Sequence, residues 1–272
     1  MSTAPESSPT AHEVVIARHG SRMASRSEVF LNYAHYGRPD APIRMDYFVW
    51  VLRSAGRTIV VDTGYSREGA RSRGREVLSD VPALLARIGV DCAAVPLVII
   101  THAHYDHIGN LRAFPNARFL IARAEVDFWN SRNAGKPLFE HSVESEEIAY
   151  LNGLVEAGRV DFFAGECRPA AGVEVIEVGG HTPGQAVVLA QTSEGPVLLT
   201  SDAVHYYEEL EADMPFTSVT DVVGMYDAFQ TIRDLVASGR VRHLVSGHDP
   251  ETLERFSPIP GLEGTAARIG AP

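Results

Sequence analysis

The chain has 272 residues, 45% hydrophobic and 22% charged, with 24 Lys plus Arg against 35 Asp plus Glu and a formal net charge of −11. That length suits one large domain or two small ones and buries enough surface to fold without disulfide staples. The acidic balance argues against a protein that grips phosphate backbones, and the two isolated cysteines, Cys92 and Cys167, exclude both a disulfide framework and a Cys-rich zinc ribbon.

Residues 1–12, MSTAPESSPTAH, have neither the basic nor the apolar region of a secretory signal and read as a disordered tail. No run approaches 18 apolar residues, so no membrane helix is expected and the chain reads as cytoplasmic, with no membrane or nucleic-acid partner. Short apolar runs bounded by Gly, Pro, Asn or Asp predict strands at 14–17, 47–52, 58–61, 97–100, 118–121, 173–178, 186–190, 197–199 and 243–245. Asp80 is placed to cap a helix that runs through Ile88 and stops at Gly89. Further helices are expected over 123–130, 144–157 and 221–237, the last with apolar Val222, Met225, Phe229, Ile232 and Val236. Residues 67–75 read as a basic loop with solvated charges, and 257–272, rich in Pro, Gly and Ala, as a tail wrapping a domain that spans 13–256. Strands mixed with helices indicate a layered α/β protein. Cys92 and Cys167 lie near no motif and are expected to be ordinary, at least partly buried thiols.

The chemistry is concentrated in the histidines. After the apolar run 97–100 the sequence reads Thr101-His102-Ala103-His104-Tyr105-Asp106-His107. Burying so many polar groups on a strand is costly, whereas on a loop at a strand end they can converge on a cation. Imidazole with carboxylate suits Zn²⁺ or related divalent metals such as Mn, Fe or Co. The same arrangement recurs after three further apolar runs, at His181, Asp202 and His248. Each follows a predicted strand, where the loops of α/β folds build sites. One zinc takes about four ligands. Seven candidates (His102, His104, Asp106, His107, His181, Asp202 and His248) therefore fit two metals, with a water between them that is a nucleophile near neutral pH.

These residues resemble the metallo-β-lactamase-fold hydrolases. The HxHxDH signature is His102 to His107, followed in order by His181 in HTPG, Asp202 in SDA and His248 in SGH, with Asp62 in VDTG matching a supporting aspartate. The resemblance implies an αββα sandwich of two mixed sheets between outer helices. It also implies one metal on His102, His104 and His181, a second on Asp106, His107 and His248, and Asp202 bridging them. Within the superfamily the chain is most similar to N-acyl-homoserine lactonases, which implies a small-molecule lactone as substrate. Those lactonases usually carry a substrate-contacting tyrosine three residues after the bridging aspartate; here that place is His205, with Tyr206 beside it. His205 or Tyr206 is expected to hold the developing oxyanion, and Asp106 or His205 to return a proton to the leaving alkoxide.

A glyoxalase-II-like thioesterase shares the seven ligands but continues into a helical carrier-binding segment, whereas the residues after His248 are rich in Pro and Gly. Zinc β-lactamases are exported and normally lack the bridging aspartate, nucleases of the superfamily carry basic surfaces, and its diiron oxidoreductases commonly have a carboxylate where His104 stands. A metal-binding module without catalysis would predict a missing ligand. An apolar pocket wall is expected from the segments 23–30, 129–139 and 206–216, with Met23, Phe30, Trp129, Phe139, Tyr206, Met214 and Phe216 as candidates, and a homodimer contact from 23–36.

Overall fold

A computed structural model of the chain describes residues 10–271; of the expected N-terminal tail, residues 1–9 lie outside the described residues. The strands are β1 (Glu13–Ser25), β2 (Pro42–Ser54), β3 (Arg57–Val61), β4 (Glu76–Val77), β5 (Leu97–Ile99), β6 (Arg118–Ala122), β7 (Val160–Phe163), β8 (Glu166–Ala170), β9 (Val173–Glu177), β10 (Ala186–Ala190), β11 (Val197–Leu199), β12 (His243–Val245), β13 (Ser257–Pro258) and β14 (Ala266–Ile269). One sheet runs β13-β14-β1-β2-β3-β5-β6-β7, with β4 beside β1, and the other runs β12-β11-β10-β9-β8. Both are mixed: β3, β5, β6 and β7 are parallel in the first, and β11 and β12 in the second.

The side-chain alternation of β1 sets up the layers. Val14 and Ile16 point between the sheets, where they pack with Trp50, Leu52 and Ile59 against Val175, Val188 and Leu199 of the other sheet. Val15 and Ala17 point outward, onto Leu84, Leu85, Leu151 and Leu154 of the helices Val81–Arg87 and Ser145–Glu156. On the far side, Val187, Leu189 and Leu198 meet Met225, Phe229, Ile232 and Leu235 of the helix Val222–Ala237. Strands covered on both faces are apolar throughout, which is why they were legible as short runs. The result is the αββα sandwich, with its strand ends collecting the site loops along one edge.

Several elements depart from the sequence reading. The first two strands are each 13 residues long, because their polar outer halves keep pairing with each other, from Gly20↔Tyr47 to Ser25↔Pro42, beyond the apolar core. The described part of the expected tail, 257–271, is built into the domain. Its strand β14 pairs with β1, Val14 opposite Ile269, and extends the first sheet. His12 belongs to the folded domain too: it is buried, and its ring lies 3.0 Å from the Ala171 carbonyl. Residues 67–75 form the short helix Arg67–Ser72, capped by the Ser66 hydroxyl on Gly69 N (3.0 Å). Of their charges, Arg67 pairs with Asp80, Arg71 with Glu68 and Arg73 with Glu144, while Arg75 has no carboxylate within 4.0 Å among the described residues. Asp80 thus precedes the helix Val81–Arg87 but spends its carboxylate on Arg67, with no side-chain cap. On Val222–Ala237 the exposed residues Val222 and Val236 are replaced at the core by Leu235. Cys92 and Cys167 are half-buried, and burial raises both thiol pKa values. Among the described residues no helix is long and apolar enough to cross a membrane.

Candidate metal centre

Four chain segments meet at one edge of the sandwich. His102 and His104 lie in the loop after β5, and Asp106 and His107 on the single turn Tyr105–Ile108 that follows. His181 sits between β9 and β10, Asp202 on the tight turn Ser201–Ala203 after β11, and His248 just past β12. All seven are buried. Ligand atoms of His102, His104, His181 and Asp202 all fall within 4.8 Å of one another, as do those of Asp106, His107 and His248.

Asp202 divides these groups through its two oxygens. Its Oδ2 lies 3.7 Å from His102 Nε2 and 3.4 Å from His181 Nε2. Its Oδ1 lies 3.2 Å from His107 Nε2 and 3.1 Å from His248 Nε2. Asp106 Oδ2 stands 3.9 Å from His107 Nε2 and 3.8 Å from His248 Nε2. The buried Nε2 atoms of His102 and His107 have no hydrogen-bond partner among the described residues. Buried nitrogens left without partners are costly, and a cation relieves that cost. Nitrogen and carboxylate donors gathered in two sets around one shared carboxylate fit a pair of divalent cations.

The rings are held from behind. Asp62 Oδ2 sits 2.8 Å from His107 Nδ1 and accepts from Thr101 Oγ1 at 2.7 Å, while its Oδ1 accepts from Thr101 N at 2.8 Å. The Asp46 carbonyl takes His248 Nδ1 at 2.8 Å. Such contacts set the ring orientation and tautomer and make the ligand nitrogen more basic. Asp62 and Ser201 hold left-handed backbone, φ 60° and 46°, at the two turns that lead into site loops. Glu125 was not singled out from sequence. Its buried carboxylate accepts from Ala103 N, Trp129 Nε1, Thr182 Oγ1 and Gly184 N, and so joins the HxH loop to the HTPG loop. Its carboxylate, in an expected helix but facing the core, was the only available signal. Gly184 completes the contact: a Cβ there would sit 2.5 Å from Glu125 N, so no larger residue fits without displacement.

The electrostatics divide the ligands: burial works against charge on His107, but Asp202, Asp62 and Asp106 outweigh it and hold its pKa well above the usual histidine range, whereas the first set is metal-ready. Burial drives the pKa of His181 down to about 3, and those of His102 and His104 well below the usual histidine range, so all three are neutral donors. Burial works against the charge on Asp202, but His248, His107, His205 and His102 outweigh it and hold its pKa well below the carboxylate range.

A cavity of about 560 Å³ opens onto the cluster, lined among others by His104, Asp106, His181 and Asp202. Of the seven apolar candidates, Phe139 and Phe216 line it. Met23 is 65% exposed, Phe30, Tyr206 and Met214 pack in an aromatic cluster beside it, and Trp129 is buried on Glu125. Tyr47 and Tyr105 line the cavity without having been named from sequence.

His205 and Tyr206 do not line the cavity, although His205 gathers with Asp202 and His248 beside it. His205 is fully buried, stacked on Phe216 at 3.8 Å, with Nδ1 3.3 Å from Glu209 Oε2 and Nε2 3.1 Å from Asp202 Oδ2. Burial pushes this imidazole down, yet Glu209 and Asp202 prevail and hold its pKa up at about 9. Tyr206 is buried and donates to the Arg44 carbonyl (3.1 Å). The tight turn after Asp202 points residue 205 back at that aspartate's own carboxylate, which spacing alone does not reveal. Asp106 does line the cavity.

Residues 44–241 match the model of the metallo-beta-lactamase superfamily, and the chain belongs to that superfamily. An N-acyl homoserine lactonase of Bacillus sp is 26% identical over 224 residues, covering 76% of this chain and 83% of that protein. A crystal structure of a quorum-quenching N-acyl homoserine lactone lactonase superposes with a TM-score of 0.77 at 22% identity, over 92% of this chain and 98% of that one. AidC, a dizinc quorum-quenching lactonase in complex with a product, gives 0.69 at 20% identity, over 97% and 96%.

Proposed function

We propose that this chain is a dinuclear metal-dependent hydrolase that opens the ring of a small lactone, with N-acyl-homoserine lactones as the first class to test. The observation that carries the reading is the division of Asp202, one oxygen toward His102 and His181 and the other toward His107 and His248, beneath a cavity large enough for a small molecule. The names of the relatives support the lactone, and a dizinc neighbour supports zinc. His102, His104 and His181 would hold one cation, Asp106, His107 and His248 the other, and Asp202 both. When bound, such a pair supplies Lewis acidity and a nucleophilic water near neutral pH.

The chain's own groups do the rest. Arg75 Nε donates to Tyr105 OH at 3.0 Å, and Tyr105 OH donates to Tyr47 OH at 3.4 Å. That order leaves the Tyr47 hydroxyl proton for an acceptor in the cavity. Tyr47 thereby takes the carbonyl-facing role that the sequence suggested for His205 or Tyr206. Phe139 and Phe216 shield the bond being cut from bulk water. Asp106, one of the carboxylates lining the cavity, takes the proton given up by the attacking water and passes it to the departing alkoxide.

Proton release by zinc-loaded protein tests this across N-acyl-homoserine lactones, simple and aromatic lactones, a glutathione thioester and a phosphodiester. Turnover of lactones above the other classes is expected. Turnover of only the thioester or the phosphodiester would remove the lactone assignment, and silence across the panel would remove the hydrolase.

A further inference from the structure

The cavity lining holds three arginines, Arg22, Arg73 and Arg75, in a chain that is strongly acidic overall. Arg73 is committed to Glu144 and to the carbonyls of His141 and Val143. Arg22 and Arg75 are not: among the described residues neither has a carboxylate oxygen within 4.0 Å. Arg22 Nε rests 3.3 Å from Met45 Sδ, and Arg75 uses Nε on Tyr105 OH and one terminal nitrogen on the Arg73 carbonyl. Both side chains are half-buried. The carboxylate nearest in sequence to Arg22 in that lining, Glu28, is occupied at the Ser25 N-cap (2.6 Å).

The pairing of β1 with β4 places these two arginines. Gly20 faces Val77 and Ser21 faces Glu76, and Arg22 and Arg75 are the residues that come next on either side as this short ladder ends. The last pair, Ser21 and Glu76, is hydrogen-bonded at 2.7 Å on the alternate face, so Glu76 does not neutralise them. Two half-buried guanidinium groups with free donors, both lining one cavity, offer a fork for an oxyanion.

Building on the lactone reading, we infer that the substrate carries a carboxylate remote from the bond that is cut, and that Arg22 and Arg75 are the specificity-determining residues that bind it. The scissile carbonyl then lies at the histidine cluster and the acyl arm runs along Tyr47 and Tyr105 to the two arginines. A plain alkyl chain would leave both guanidinium groups without partners.

The test compares N-hexanoyl- with N-adipoyl-homoserine lactone, which differ by a terminal carboxylate. The wild type is expected to prefer the adipoyl compound by about 10-fold or more in kcat/KM, chiefly through KM, as charge-assisted hydrogen bonds allow. Arg22→Met and Arg75→Met, each checked for an unchanged melting transition, should bring that ratio close to one, and raised salt should shrink it in the wild type. Hydrolysis of both compounds with no adipoyl preference would overturn the inference and leave the lactone reading standing. If neither lactone is hydrolysed, the reading fails and binding decides the inference separately. Calorimetric titration of the two ring-opened acids should still favour the adipoyl acid about 10-fold in the wild type and lose that advantage in Arg22→Met. Equal binding of the two acids would overturn the inference.

Discussion

The Glu125 carboxylate accepts a 2.6 Å hydrogen bond from the hydroxyl of Thr182, 57 residues away in sequence. With Ala103 N at 2.8 Å and Gly184 N at 3.0 Å on the same carboxylate, it fixes the loop bearing His102 and His104 relative to the loop bearing His181. Burial raises its pKa against the pull of these donors and of the Trp129 indole.

Removing that acceptor should therefore loosen the metal set as well as the fold. Glu125→Ala leaves several buried donors unpaired, and a loss of about 2–4 kcal/mol in urea unfolding is expected. Zinc affinity should fall about 10–100-fold, as it does when a ligand's support is removed. A variant with wild-type zinc affinity would show that Glu125 does not position these ligands.

Asp62 should act chiefly on the other set, since it meets His107 directly and His102 only through Thr101. Asp62→Asn keeps a residue type that tolerates the left-handed backbone at φ 60° but takes away the charge facing His107 Nδ1. At limiting zinc its metal content is expected to drop toward one ion per chain, with affinity at the weakened position down about 10–100-fold. Equal loss from both positions would contradict a separate role.

How much of this could be read from the chain is uneven, for physical reasons. The seven ligands were legible because each stands just beyond an apolar run, and strand ends in such folds converge. The long outer halves of β1 and β2 were hidden because a ladder of hydrogen bonds continues where the hydrophobic pattern stops. Glu125 was hidden because its partners come from distant segments. The contacts of His205 were hidden because sequence gives the spacing from Asp202 but not the direction in which the turn Ser201–Ala203 sends the next side chain.

The contacts of His205 with Asp202 and Glu209 predict a supporting role for it. His205→Ala strips Glu209 of its buried counter-charge, and a loss of about 3–5 kcal/mol in urea unfolding is expected, together with weaker zinc binding. If stability and zinc content were unchanged and only KM rose, His205 would belong to the substrate cavity after all.

Glu147 gives the fold a pH dependence of its own. Burial lifts its carboxyl from 4.5 to about 7, against a 2.9 Å hydrogen bond from Ser66. Between those values the folded chain keeps a proton that the unfolded chain has released. The contribution of this group is therefore intact below about 4.5 and is lost as pH rises through about 7. Glu147→Gln cannot titrate, so its stability relative to the wild type should climb across that window by about 1–3 kcal/mol and level off above it. Urea midpoints measured from pH 4.5 to 8 check this, and parallel curves for the two proteins would contradict it.

The central claim is that Asp202 joins two cation positions. Elemental analysis of zinc-loaded, dialysed protein tests it most directly, with the wild type beside Asp202→Ala. The account predicts two zinc ions per wild-type chain and loss from both positions in the variant. A wild type holding one ion or none, or a variant that still retains two, would contradict it.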